Sequence, residues 1–348
     1  MIGFSINLFD ELDSIKVYIK KMKDAGFRNV FTTIYEPEEI KDDFLYTLRA
    51  VANFCKETDL KLMVGISKGS VREINLKLDP KTLIDSGISG LRVTHDIDNE
   101  KIAELSKYMK IAVSASHTEK EDIEEIKELG GNLDNIEAWY YYYERDEIGL
   151  SRIYLKNRNK FWDEEGIETV AFAPGTDDHT HDFAPRLTLE KHRGKHPLFA
   201  TIDLLEYVDV NSVYIGDNVI DDKTIYQFQR YMNDETLVFY VNVLDQEYFE
   251  LIKGVHRNRI DEAELVIRAE NPIDIKDHIV DRYLVSRPKG SLTIDNHKNG
   301  RFMGEFHITK EDMELSNKTN VVAHVREEDI DLIDRCYGGV EFEIIENI

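Results

Sequence analysis

Cysteine is scarce. The 348-residue chain has two, Cys55 and Cys336, far apart and in no Cys-x-x-Cys motif. That argues against a disulfide scaffold and a thiolate zinc site, and fits a reducing compartment. Basic charge is short as well: Lys and Arg number 44 against 68 Asp and Glu, a formal net charge of −24. So acidic a surface repels nucleic acid and anionic membrane, and neither is expected as a partner. No run approaches the roughly 18 apolar residues that a membrane helix needs. The first residues, Met1-Ile2-Gly3-Phe4-Ser5-Ile6, read as a strand and not as a basic, apolar leader. The expectation is a soluble, cytoplasmic protein. Internal repeats and low-complexity segments are also missing. What is present suffices for a core: hydrophobic residues make up 42%, so disorder is not expected.

Short β-branched runs alternate with longer amphipathic segments, the rhythm of parallel strands joined by crossover helices. Strands are predicted at 3–8, 29–35, 61–67, 90–95, 110–116, 136–142, 168–173 and 212–217. Between them, Ile15, Ile19 and Met22 recur at a helical period, as do Leu45, Leu48, Val51 and Cys55, and Ile102, Leu105 and Met109. Helix stops are expected at Gly26, Gly87 and Gly166, each just before a strand. Eight such units predict an α/β fold, a (β/α)8 TIM barrel over residues 1–233. An open doubly wound sheet is the rival, but no Gly-x-Gly-x-x-Gly follows the first strand. After residue 233 the rhythm breaks. Strand-like runs at 238–243, 265–268, 290–295, 304–308, 320–324 and 340–344, with one helix at 245–251, predict a small, mostly β domain over 234–348.

A TIM barrel carries its active site at the C-terminal ends of its strands. Those ends hold Asn7; Tyr35-Glu36-Pro37-Glu38-Glu39; Ser67-Lys68; Arg92 with His95-Asp96; Ser116-His117; residues 140–145; Pro174-Gly175-Thr176; and Asp217-Asn218. Acids, arginine and the run Trp139-Tyr140-Tyr141-Tyr142-Tyr143 at one mouth suit a carbohydrate. Sugar C–H faces pack on rings, and paired carboxylates serve glycosidic cleavage. Tyrosines packing as a barrel cap and acids solvating loops are the plainer alternative. Asp217 stands out because Gly216 before it permits a close approach by backbone or ligand. Asp177-Asp178-His179-Thr180-His181-Asp182 has metal-ligand side chains but no helical His spacing, so a loop over the mouth is preferred and neither metal nor cofactor is assigned. Glu190-Lys191-His192-Arg193-Gly194-Lys195-His196-Pro197 is a basic island between the seventh and eighth strands, where barrels often bind phosphate; Arg193 is its candidate phosphate ligand, a solvated loop the alternative. Arg301 and Glu305, near a predicted hairpin, could form a surface ion pair or reach the barrel mouth.

Taken together, Gly3-Phe4-Ser5-Ile6, Phe31-Thr32-Thr33-Ile34 with Pro37-Glu38, Glu137-Ala138-Trp139, Pro174-Gly175, Glu190-Lys191-His192-Arg193-Gly194, Val213-Tyr214-Ile215-Gly216-Asp217, Thr293-Ile294-Asp295-Asn296, Gly300-Arg301 and Gly304-Glu305 resemble the bacterial 6-phospho-N-acetylmuramidases, a glycoside hydrolase family. The resemblance runs from end to end. It implies a TIM barrel with a small β domain, and hydrolysis of the β-1,4 bond of N-acetylmuramic acid 6-phosphate–N-acetylglucosamine in cytoplasmic peptidoglycan recycling. Where the family pattern has Asp near the ends of strands three and four, this chain has Gly65 and Thr94; Tyr140-Tyr141 replaces a His-Asn pair. On this reading Asp217 and Glu38 form the catalytic carboxylate pair, Glu137 comes third, and Asp96 substitutes for the missing fourth-strand acid. The substrate's 2-acetamido group is an alternative nucleophile. Arg92, Arg145 and Arg193 are candidates for the phosphate and the lactyl carboxylate, and Tyr140 and Tyr142 for stacking on sugar. Asn7 lies at the mouth, and Asp295, Asn296 and Arg301 are placed to reach in from the second domain. The expected partner is a small phosphorylated disaccharide, with a homodimer left open. A non-catalytic phosphosugar-binding protein is the second reading. A phosphosugar lyase or isomerase using Lys68 for Schiff-base chemistry is the third.

Overall fold

The structure, a computed structural model, describes residues 1–34, 44–74, 76–176, 185–273 and 278–348. The chain forms two compact units, Met1–Ile225 and Tyr226–Ile348.

In the first unit eight parallel strands close into a barrel in sequence order. They are β1 (Ile2–Ser5), β2 (Asn29–Thr33), β3 (Lys61–Ile66), β4 (Gly90–Val93), β5 (Lys110–Ser114), β6 (Ile136–Trp139), β7 (Glu168–Ala173) and β8 (Ser212–Ile215). Seven lie within stretches read as strands from their apolar, β-branched composition, and β1 starts one residue before its predicted stretch and stops at Ser5. The helices between them follow from local signals. In α1 (Leu12–Asp24) the residues at helical spacing, Ile15, Ile19 and Met22, are the buried ones. Asp98 caps α5 (Asn99–Ser106) by accepting the Lys101 N–H, and α7 (Arg152–Glu165) starts on a Ser151 cap and stops at Gly166, whose left-handed φ of 70° ends the helix. The remaining helices of this unit are α2 (Phe44–Glu57), α3 (Lys68–Glu73), α4 (Pro80–Asp85), α6 (Lys120–Glu128), α8 (Pro197–Ile202) and the first turn of α9 (Asp222–Asp234). Inside the barrel Phe31, Met63, Ala112, Trp139, Val170, Phe172 and Tyr214 make the packed layer that separates its two ends.

The second unit is built on a seven-stranded sheet of order β10-β15-β9-β14-β12-β13-β11. Its strands are β9 (Leu237–Val243), β10 (Gly254–Arg257), β11 (Val266–Arg268), β12 (Ser291–Asp295), β13 (Phe306–Thr309), β14 (Thr319–Val325) and β15 (Glu341–Glu346), with α10 (Gln246–Ile252) between the first two. Strand β10, Gly-Val-His-Arg, was not anticipated: it is an edge strand of alternating half-buried and exposed residues and lacks an apolar run.

Candidate active site at the C-terminal face of the barrel

The exit of β6 builds the centre of the mouth. Trp139 points into the barrel, 4.7 Å from the ring of Tyr214 and 5.2 Å from Phe31. Strand alternation then turns Tyr140 outward. It is fully buried against α7, donating from Oη to Asn159 Oδ1 at 2.7 Å. Tyr141 comes back to the barrel side and stays 40% exposed. Its ring stacks on Tyr142 at 4.9 Å and 24° between planes. The Arg92 guanidinium, inside the barrel on β4 between Gly65 and Ala112 in register, lies 5.0 Å from the Tyr141 ring. At the other side the Arg186 guanidinium lies 5.5 Å from Tyr142. The result is a row, Arg92–Tyr141–Tyr142–Arg186, in which cations meet aromatic rings.

Arg186 is held by its backbone. The segment after Tyr142 bridges antiparallel to the segment after Pro185, with Tyr143 N–H donating to Leu187 O at 2.8 Å, and the Thr188 hydroxyl donates to Tyr141 O at 3.0 Å. Gly216 leaves the room this needs, since a Cβ there would sit 2.0 Å from the Arg186 carbonyl oxygen. The next residue completes the lock. Asp217, 4% exposed, accepts the Gly175 N–H on Oδ2 at 2.7 Å and the Arg186 N–H on Oδ1 at 2.9 Å. Arg186 Nε donates to Glu144 Oε1 at 2.5 Å, while its two Nη groups have no hydrogen-bond partner among the described residues. Its side chain is 33% exposed. Free, planar, charged donors beside an exposed ring can bind an anionic sugar.

Several expected residues have other duties. Tyr140 is no sugar platform, because its ring and hydroxyl are spent on α7; Tyr142 is nearly buried beneath Tyr141 and against Phe172, 5.1 Å away. Of the three, Tyr141 is the one whose ring stays exposed. Arg193 is not available for phosphate in this arrangement. Its Nε and Nη2 donate to both oxygens of Glu190 at 2.7 and 2.9 Å, Nη2 also to Arg145 O at 3.0 Å, and Nη1 to Pro185 O at 3.3 Å. Arg145 is exposed, and its carbonyl accepts that bond from Arg193. Glu190 in turn accepts the N–H groups of Glu147 and Gly149, so the basic island is a knot tying down the loop after β6. Chiefly the Arg193 hydrogen bond, against partial desolvation, brings the Glu190 carboxyl down to about 2. A carboxylate lowered in the fold contributes stability above its unfolded value and loses it as the pH falls from about 4.5 towards 2. Glu190→Gln should therefore lower Tm at pH 7 and make a much smaller difference at pH 2.5, read by thermal melts at both.

The other carboxylates separate. Glu38 lies outside the described residues, as does the 177–182 stretch. Glu137 is at the wrong end of the barrel. It sits on the second residue of β6, accepts from Trp139 Nε1 at 2.9 Å, lies 3.4 Å from Lys110 Nζ, and lines a floor cavity of about 360 Å³ with strand-start residues Asn29, Lys61, Lys110 and Ser212. Asp96 braces a helix: it accepts the Thr94 hydroxyl and the Lys68 N–H at the start of α3. Burial works to raise its carboxyl, but those hydrogen bonds prevail and hold it below the usual range, which unsuits it as a proton donor. Asn7 closes an Asx turn by accepting the Phe9 N–H at 3.1 Å. In the second unit Asp295 is buried and accepts from Thr319 Oγ1 and Asn299 Nδ2; burial raises its carboxyl, opposed by His307 and these bonds. Asn296 caps a 3₁₀ turn and donates to Asn317 O and Asn320 Oδ1. Arg301 is exposed over the Phe302 ring, and Glu305 pairs with Arg268 and His307, so the Arg301–Glu305 pair does not form. Among the described residues no three His, Cys, Asp or Glu side chains gather into a metal-holding group.

Residues 2–230 match the family described as 6-phospho-N-acetylmuramidase, N-terminal, and residues 237–345 match its C-terminal counterpart. The chain belongs to the 6-phospho-N-acetylmuramidase family. Among solved structures, this family member is similar to a conserved Enterococcus faecalis protein of unknown function, at 31% identity and TM-score 0.89, over 100% of this chain and 96% of that one. An uncharacterized B. cereus protein shares 18% identity, TM-score 0.69 and 99% coverage of both chains, a likeness of fold. No curated protein matches. The family name points to a glycosidase. No helix among the described residues is long and apolar enough to cross a membrane.

Proposed function

We propose that this protein is a cytoplasmic 6-phospho-N-acetylmuramidase that hydrolyses the β-1,4 bond of N-acetylmuramic acid 6-phosphate–N-acetylglucosamine in peptidoglycan recycling. The observation that carries the reading is the row Arg92–Tyr141–Tyr142–Arg186 at the barrel mouth. The substrate's muramic moiety has two anions, a phosphate and a lactyl carboxylate, on an apolar-faced ring. Two guanidinium groups flanking a partly exposed tyrosine match that composition. Asp217, fixed by two backbone N–H groups, is the acceptor-only carboxylate that stabilises or attacks the oxocarbenium-like centre. Glu38 is the partner acid that protonates the leaving N-acetylglucosamine oxygen.

The test is product analysis with the phosphorylated disaccharide beside its unphosphorylated twin. Cleavage of the phosphorylated form alone supports the reading; binding without cleavage of either sinks the enzymatic claim in favour of a phosphosugar-binding protein. Two tyrosines give a finer check. Tyr141→Ala should raise KM about 3- to 10-fold through lost ring contact. Tyr140→Phe should leave KM unchanged and cost about 1–3 kcal/mol of stability, because Asn159 loses its buried partner. Lys68, an exposed ammonium 3.4 Å from Asp98, has nothing of a desolvated Schiff-base lysine, so Lys68→Gln should retain full turnover.

A further inference from the structure

We infer that Arg186 is the residue that recognises the 6-phosphate, and that Glu144 is a displaceable carboxylate occupying it when no phosphate is bound; this assignment rests on the phosphosugar reading above. Three observations carry it. Arg186 lies between β7 and β8, where barrels commonly bind phosphate. Of the two arginines on the segment between β7 and β8, Arg193 spends Nε, Nη1 and Nη2 on Glu190 and two carbonyls, whereas Arg186 spends only Nε and holds its guanidinium beside the Tyr142 ring. Finally, its backbone is immobilised from two directions, by the carboxylate of Asp217 on its N–H and by Gly216 against its carbonyl, so the guanidinium is aimed before ligand arrives.

Glu144 fits the part of a stand-in anion. Its Oε1 contacts Nε as a phosphate oxygen would, and its side chain, 29% exposed, can leave for solvent. A phosphate dianion delivered to the Nη groups lies beside this carboxylate, and like charges at that range repel. Phosphate binding therefore displaces Glu144, and the strength of the Glu144–Arg186 pair is subtracted from phosphate affinity. An unphosphorylated sugar supplies no competing anion at this position and leaves the pair intact. Discrimination for the phosphate arises from its contact with Arg186, and the Glu144 exchange sets how much of that contact appears as net affinity.

The experiment titrates inorganic phosphate and glucose 6-phosphate into the full-length protein by calorimetry, and measures kcat/KM on the phosphorylated and unphosphorylated disaccharides. Arg186→Gln should weaken phosphate binding about 10- to 100-fold, and Arg186→Lys by an intermediate amount because the planar fork is lost. Glu144→Gln should tighten phosphate binding several-fold, a gain that misfolding cannot mimic. Phosphate affinity unchanged within twofold in Arg186→Gln, or weakened in Glu144→Gln, overturns the assignment. If the wild type binds phosphate through Arg186 yet cleaves no disaccharide, the recognition assignment stands and the hydrolase reading fails.

Discussion

Asp217→Asn should reduce kcat on the phosphorylated disaccharide by about 10²- to 10⁴-fold, the range associated with losing one positioned proton-transfer or charge-stabilising group. The same substitution has a structural consequence that can be separated from the chemical one. The wild-type carboxylate accepts one backbone N–H on each oxygen, from Gly175 and from Arg186. An amide presents one acceptor and one donor group, so one buried N–H loses its partner, at about 1–3 kcal/mol. For a barrel of this size that corresponds to a Tm lower by about 2–10 °C. Paired melts and kinetics therefore sort the roles. A fall in Tm with kcat and KM unchanged makes Asp217 a brace only; a collapse of kcat beyond the loss of folded protein makes it part of the reaction.

Gly216→Ala is expected to be among the most damaging small changes in the chain. Its cause is contact, not backbone conformation: the added methyl would stand 2.0 Å from the Arg186 carbonyl oxygen and 2.9 Å from its Cβ. Neither atom is the end of a flexible side chain. Either the β7–β8 segment moves off the end of β8 or the barrel end opens, and overpacking of this kind typically costs about 1–3 kcal/mol or more. Because Asp217 holds the same segment, the displacement should also separate Arg186 from Tyr142. The expected readout is a lower Tm together with loss of preference for the phosphorylated substrate, measured as the ratio of the two kcat/KM values. Activity and preference both intact would show that segment 185–190 sits elsewhere in solution.

Both predictions concern a residue pair singled out from the sequence, yet their physical content changed. Gly216-Asp217 was legible as a strand end where something approaches closely. What approaches is the backbone of Arg186, contributed by a segment more than 25 residues earlier, and no local signal in Pro185-Arg186-Leu187 marks it. Tyr141 was within reach of sequence reasoning. Counting alternation outward from the buried Trp139 puts Tyr140 on the helix side and Tyr141 on the barrel side, a one-residue step that moves a ring to the opposite face.

The sequence by itself determined the alternation of strands and helices, the change of rhythm near residue 233 and the family, because periodicity and short motifs are properties of neighbouring residues. Only the tertiary structure decided which cation is available. Arg193 sits in the conspicuous basic cluster, but folding brings it the carboxylate of Glu190 and the carbonyls of Arg145 and Pro185, and these consume its donors. Arg186, unremarked in an apolar stretch, emerges with its Nη groups open. A side chain's capacity to bind a ligand is what remains after its neighbours in space are satisfied, and those neighbours come from loops that the sequence keeps far apart.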